Sequence, residues 1–170
     1  KTFPEEIQKQ KTRIAALQQD SQIAAAHPQD KENFCGMTIK GMVYDDKKAA
    51  GERLLLARQE MPNADMMLLG TYRGFELNIR FDSFKNEHQA VLRAELSYPV
   101  SLGDDARGNI TRLDNAIDNF ADRIADAENA LQNLEQQKQA AEVEVAKPFA
   151  QEEELAEKSA RLAELNALLN

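Results

Sequence analysis

The side chains best able to do chemistry in this 170-residue chain are few and scattered. His27 and His88 stand far apart, and neither has a second histidine or a cysteine at metal-ligand spacing, so no zinc-type set is spelled out. Cys35 is the lone cysteine; it permits no intrachain disulfide and no thiolate cluster. No neighbouring His, Lys or helix start argues for a reactive thiolate there, and a small buried side chain is the plainer reading. The carboxylate groups Asp45-Asp46, Asp104-Asp105 and Glu152-Glu153-Glu154 could suggest metal sites. Consecutive carboxylates on a helix point to different sides, however, and each group stands beside a helix start, where the dipole already favours negative charge. Neither phosphate-binding glycine motif, G-x-x-x-x-G-K-[ST] or G-x-G-x-x-G, is present, nor is the Ser-centred elbow of hydrolases. The residues call for no catalytic group, no metal and no cofactor.

One patch invites a binding role. Tyr72-Arg73-Gly74-Phe75, with Arg80 and Arg93, would put aromatic and cationic groups on a sheet with one wet face, where they could stack on bases and neutralise phosphates. Arg80 and Arg93 share that face with Glu76 and Glu95, so cross-strand ion pairs explain them as well. The structural explanation carries more weight.

The elements that would position these residues are legible from periodicity. Phe75, Leu77, Ile79 and Phe81 alternate with Glu76, Asn78, Arg80 and Asp82, the period-two pattern of a strand with one buried face. Ala90, Leu92, Ala94 and Leu96 repeat the pattern. Met66 to Tyr72 precedes them across a tight turn at Arg73-Gly74, and Met37 to Tyr44 reads as a fourth strand. Asp45 can cap a helix running through Met61, with Ala50, Leu54, Ala57 and Met61 on one face. The middle of the chain is therefore expected to be β-α-β-β-β, a mostly antiparallel four-stranded sheet under one helix.

Long helices flank it. Ile7, Ile14, Leu17 and Ala24 fall on one heptad seam, with Gln10 and Ser21 at the intervening positions, between Pro4 and the stop at His27-Pro28. From Ile110 a second seam steps by three and four through Leu113, Ile117, Phe120, Ile124, Ala127, Leu131, Leu134, Lys138, Ala141 and Val145. The connection requires the two helices to run antiparallel. Lys147-Pro148-Phe149 is expected to end the long helix, because proline removes a donor and clashes with the preceding turn. A further helix follows with Leu155, Leu162, Leu165 and Leu169 on its apolar face, its direction left open. The fold class is thus α+β: a small head inserted between long helices that pair as an antiparallel coiled coil. The divisions are 1–30 for the first helix, 36–103 for the head, 104–147 for the long helix and 148–170 for the last.

Charge limits the partners. Residues 104–170 hold seven basic against fifteen acidic side chains and account for the whole net charge of -8. That third repels a phosphate backbone, so any DNA contact belongs to the neutral middle. No apolar run approaches the ~20 residues of a membrane span, and the cysteine content suits the cytoplasm. The missing initiator Met suggests an excised piece of a longer protein.

Several stretches together are similar to a known family. They are Phe3-Pro4-Glu5-Glu6-Ile7, Gly36-Met37-Thr38-Ile39-Lys40-Gly41, Gly70-Thr71-Tyr72-Arg73-Gly74-Phe75, Phe81-Asp82-Ser83-Phe84, Gly108-Asn109-Ile110-Thr111-Arg112-Leu113-Asp114-Asn115 and Lys147-Pro148-Phe149 leading to Leu162-Ala163-Glu164-Leu165-Asn166-Ala167-Leu168-Leu169-Asn170. They resemble the region after the helicase lobes in very large helicase and DNA-methylase polyproteins of bacterial conjugative and integrative elements. The resemblance implies a bacterial cytoplasmic setting and work on DNA within a larger machine whose ATP-binding and methyl-transfer motifs lie elsewhere. It carries over no catalytic residue. The expected function is a non-enzymatic accessory or scaffold domain whose partner is the rest of its own polypeptide. The alternatives are a DNA-contacting module using Tyr72, Arg73, Arg80 and Arg93, and a coiled-coil module that forms homo-oligomers.

Overall fold

A computed structural model describes residues 2–30, 32–61 and 65–169, and their side chains apart from 147–157, 159 and 166–169. It is α+β, with a six-stranded sheet and four helices among the described residues. The chain divides into two compact units, Thr12–Ala127 and Lys1–Lys11 with Glu128–Asn170.

The elements in order are α1 (Phe3–Ala26), β1 (Met37–Ile39), β2 (Met42–Tyr44), α2 (Lys47–Glu60), β3 (Met67–Tyr72), β4 (Phe75–Asp82), β5 (Glu87–Arg93), β6 (Ser97–Ser101), α3 (Ala106–Ile117) and α4 (Phe120–Leu169). The sheet order is β2-β1-β3-β4-β5-β6, antiparallel throughout. The four-stranded expectation is therefore corrected in two places. Met37 to Tyr44 is a hairpin and not one strand, because Lys40 and Gly41 both take positive φ, 54° and 82°, the geometry of a two-residue turn. The sixth strand carries Pro99 and lies at the sheet edge, where a missing backbone donor breaks no ladder. Leu96, expected inside a strand, sits in the turn between β5 and β6.

The β3–β4 turn does form at Arg73-Gly74, with φ of 48° and 82° and Tyr72 paired to Phe75. A bulge at Leu69 shifts the register between Leu68 and Gly70. Gly70 has to be glycine for close approach, since a Cβ there would lie 1.9 Å from the Thr38 carbonyl oxygen.

One face of the sheet presents Met37, Ile39, Tyr72, Phe75, Leu77, Ile79, Ala90, Leu92 and Tyr98 to the core, with α2 and α3 supplying Ala50, Leu54, Ala57, Ile110, Leu113 and Ile117. Phe75 stacks on Phe120 at 6.0 Å, and Tyr98 meets both rings edge-on. Asp46, one residue after the expected cap, receives Ala49 N–H at 3.0 Å, and Asp105 receives Gly108 N–H at 2.9 Å. These caps account for the two described carboxylate pairs; Glu152, Glu153 and Glu154 lie outside the described side chains.

The long helix departs from expectation twice. It is interrupted at Asp118-Asn119, dividing α3 from α4, and it continues through Pro148, so the separate 148–170 helix is not formed. Proline costs one donor among fifty residues, in a stretch whose Ala, Gln, Glu and Leu content favours helix. Leu155 and Leu169, expected on an apolar face, lie outside the described side chains. In the smaller unit, Leu131, Leu134 and Lys138 are half-buried, whereas Ala141 and Val145 are exposed.

Candidate functional site

Sequence reasoning nominated Tyr72, Arg73, Arg80 and Arg93, and the structure separates them. Tyr72 ends β3 on the core face, 1% exposed, its ring stacked on Phe34 at 5.9 Å. Its hydroxyl donates to Asp114 Oδ1 of α3 at 2.6 Å. Arg73 follows in the left-handed turn position, which swings its guanidinium under the helices, and it is 5% exposed. Its Nε donates to the His27 carbonyl at 2.9 Å, Nη1 to Asp114 Oδ1 at 3.1 Å, and Nη2 to Asp118 Oδ1 at 2.7 Å. One turn residue thus holds the end of α1, the body of α3 and the break before α4. The expectation that Tyr72 and Arg73 lie on a wet face is corrected: both point inward and are consumed by these bonds.

Arg80 and Arg93 stand on the opposite face. The half-buried Arg80 donates Nε and Nη2 to Gln89 Oε1 at 3.0 and 2.9 Å, and the exposed Arg93 lies 3.8 Å from the exposed Glu76. That face is not uniformly wet either, because Asn78, Gln89 and Val91 are buried within it. Its charges, Glu76, Asp82 and Glu87 against Arg80 and Arg93, are mixed.

A second buried polar cluster centres on Asp20 of α1, which is fully buried. Its carboxylate receives the N–H groups of Glu95 and Leu96 at 2.9 and 3.0 Å and the Tyr98 hydroxyl, capping the β5–β6 turn. Arg123 of α4 lies over the Tyr98 ring at 4.8 Å, a cation–π contact. No local pattern singles out Asp20, Asp114 or Asp118 in the sequence, where they read as polar residues between seam positions. Only the turn geometry of Arg73 and of residues 94–96 brings partners to them.

The electrostatics follow burial. The Tyr72 and Tyr98 hydroxyls are held protonated well above the ordinary phenol range, by burial first and then by their carboxylate acceptors. Arg73 is held charged, because Asp118 and Asp114 outweigh the desolvation that opposes it. Cys35 is exposed and not the small buried side chain expected; partial desolvation, and then Asp114, still pushes its thiol up, which disfavours a nucleophilic thiolate. Cys35 lines a cavity of about 390 Å³ with Asp30, Phe34, Asp46, Tyr72 and Asp114. His27 Nδ1 bonds the Ile23 carbonyl at a helix end, and His88 packs edge-on against Phe81. Among the described residues no group of three or more His, Cys, Asp or Glu side chains is placed to hold a metal ion, and no helix is long and apolar enough to cross a membrane.

This arrangement fastens helices to a sheet. Comparison of the chain with protein-family models, with curated proteins and with solved structures gives no match.

Proposed function

We propose that the chain is a non-catalytic accessory module of a DNA-processing helicase or methylase protein of a bacterial mobile element. In this reading α1 and α4 pair as an antiparallel coiled coil that spaces the α/β unit from neighbouring domains of the same polypeptide in the cytoplasm. The observation that carries it is the use made of the reactive side chains: Arg73, Asp114, Asp118 and Asp20 are spent tying α1, α3 and the start of α4 to the sheet. Such ties suit a part that holds position under load.

The pairing is supported by burial in heptad register. Ile7, Gln10, Ile14, Ser21 and Ala24 are half-buried and Leu17 fully so; on α4, Phe120 and Ala127 are buried, and Ile124, Leu131, Leu134 and Lys138 half-buried. Antiparallel direction is supported twice. Residues 1–11 group with 128–170, and Ser21 and Ala24 line a cavity with Phe120 and Ala121.

Steady-state assays of the purified chain with ATP and single- or double-stranded DNA, and with a methyl donor and DNA, should give background rates. Turnover above background that survives repurification would retire this reading. The DNA-contacting alternative has weaker support, since Tyr72 and Arg73 are buried and the sheet face carrying Arg80 and Arg93 is mixed in charge.

A further inference from the structure

The two edges of the sheet are built differently. At the β6 edge Pro99 has no N–H to offer, and the Ser101 carbonyl is taken by Arg112 Nη1 at 3.0 Å. Both are devices by which a sheet refuses a further strand. The β2 edge has neither. Met42, Val43 and Tyr44 include no proline and no charge, and Met42 and Val43 stand 63% and 70% exposed. Leu56, 51% exposed, lies on the flank of α2 away from Gly51 and α3, so it extends the apolar surface on the same side.

The β1–β2 hairpin fixes which backbone groups that edge offers. Ile39 and Met42 flank the two-residue turn and exchange both of their backbone bonds, as do Met37 and Tyr44. Val43, between them, turns its N–H and C=O away from β1. An added antiparallel strand can therefore meet β2 as a hydrogen-bonded pair at Val43.

Charge selects what that strand is. β2 is bracketed by Lys40 on one side and by Asp45 and Asp46 on the other. Turned about a two-fold axis through Val43, a second β2 sets Val43 against Val43, Met42 against Tyr44 and Lys40 against Asp46, each of the unlike pairs formed twice. A parallel copy would set Lys40 on Lys40 and Asp46 on Asp46. The backbone pattern and the charge order thus agree on one centre and one direction.

We infer that two copies of this chain join through β2, antiparallel about Val43, into one sheet of twelve strands, six from each copy. The inference draws nothing from the α1–α4 pairing proposed above, so either can fail without the other.

The test is sedimentation equilibrium of the whole chain from micromolar to millimolar concentration. A dimer is expected. Val43→Pro removes only the outward N–H, so the hairpin keeps its own bonds while the dissociation constant should rise at least about 30-fold. Lys40→Asp puts an Asp-Gly pair in the turn, which suits its positive φ, and should weaken the dimer about 5-fold or more by facing Asp46 with a like charge. Circular dichroism of the two variants should match the parent chain; if Val43→Pro disturbs the fold, Lys40→Asp still decides. Register is read by oxidation in a Cys35→Ser background. Val43→Cys should link two chains, because facing Cα atoms in such a pair lie about 5.5 Å apart, and Met42→Cys should link far less. A monomer at every concentration, a dimer indifferent to Lys40→Asp, or equal linking at positions 42 and 43 would each overturn the inference.

Discussion

Arg73 shows how one side chain can decide the arrangement of several elements. Its guanidinium is buried against two carboxylates and a helix-end carbonyl, so truncating it strands Asp114 without its charge partner. Breaking a buried pair from one side costs about 3–5 kcal/mol, whereas replacing both partners by apolar groups of similar volume is often neutral. Arg73→Ala should therefore lower the unfolding free energy by roughly 3 kcal/mol or more in urea titrations. Arg73→Met combined with Asp114→Leu should recover most of that loss; equal destabilisation in the double variant would assign the effect to packing. His88 supplies a pH-dependent counterpart. Burial, then the charge of Arg58, lowers its pKa in the folded chain. The unfolded chain then binds the proton more readily, so His88's contribution is fully present above about pH 6.5 and is lost as pH falls through the lower folded value. Denaturation midpoints at pH 7.5 and 5 should differ less in His88→Asn than in the parent chain. An unchanged difference would show that other groups set the acid response.

Elements whose local signal agreed with their setting were readable, and those governed by a distant partner were not. The alternation of β4 and the Arg73-Gly74 turn are complete within a few residues, and both stand as expected. The break at Asp118-Asn119 is invisible to periodicity because Ile117 and Phe120 keep the three-residue step across it. What marks the break is the Arg73 fork on Asp118, held from forty-five positions away. β6 also depends on its place in the sheet, since a proline such as Pro99 counts against a strand unless the strand lies at an edge. The packing of α2 on α3 also lies outside local reading, and it yields a test in which two effects oppose each other. Gly51→Ala gains up to about 1 kcal/mol of helix propensity. The added Cβ would lie 2.2 Å from the Ala106 carbonyl oxygen, against backbone that cannot turn aside. Overpacking of this kind costs roughly 1–3 kcal/mol, so net destabilisation is expected in thermal or urea melts. A more stable variant would show that α2 and α3 can separate cheaply.

For the molecule as a whole, the asymmetry of charge matters more than any single patch. The acidic excess lies entirely in residues 104–170, and the strands offer three carboxylates beside Arg80 and Arg93. Fluorescence anisotropy with labelled single- and double-stranded DNA at low salt should therefore detect at most weak binding, unaltered by Arg93→Ala. Tight, salt-sensitive binding lost on Arg80→Ala and Arg93→Ala would transfer the module to the DNA-contacting class. The sequence grouped Tyr72, Arg73, Arg80 and Arg93 on one wet face, whereas Tyr72, paired with Phe75, lies on the core face and Arg73 turns inward from a left-handed φ.

The Asp20 cap has a bearing on how the chain is made. Its acceptors are filled by residues 75 to 78 positions later in the sequence. During synthesis from the N-terminus, α1 leaves the ribosome long before β5 and β6 exist, with Leu17 and the Asp20 carboxylate still in water. This helix is then a late arrival in the fold despite being made before the strands that hold it, and a nascent chain halted before residue 98 would lack the Tyr98 hydroxyl that completes its cap.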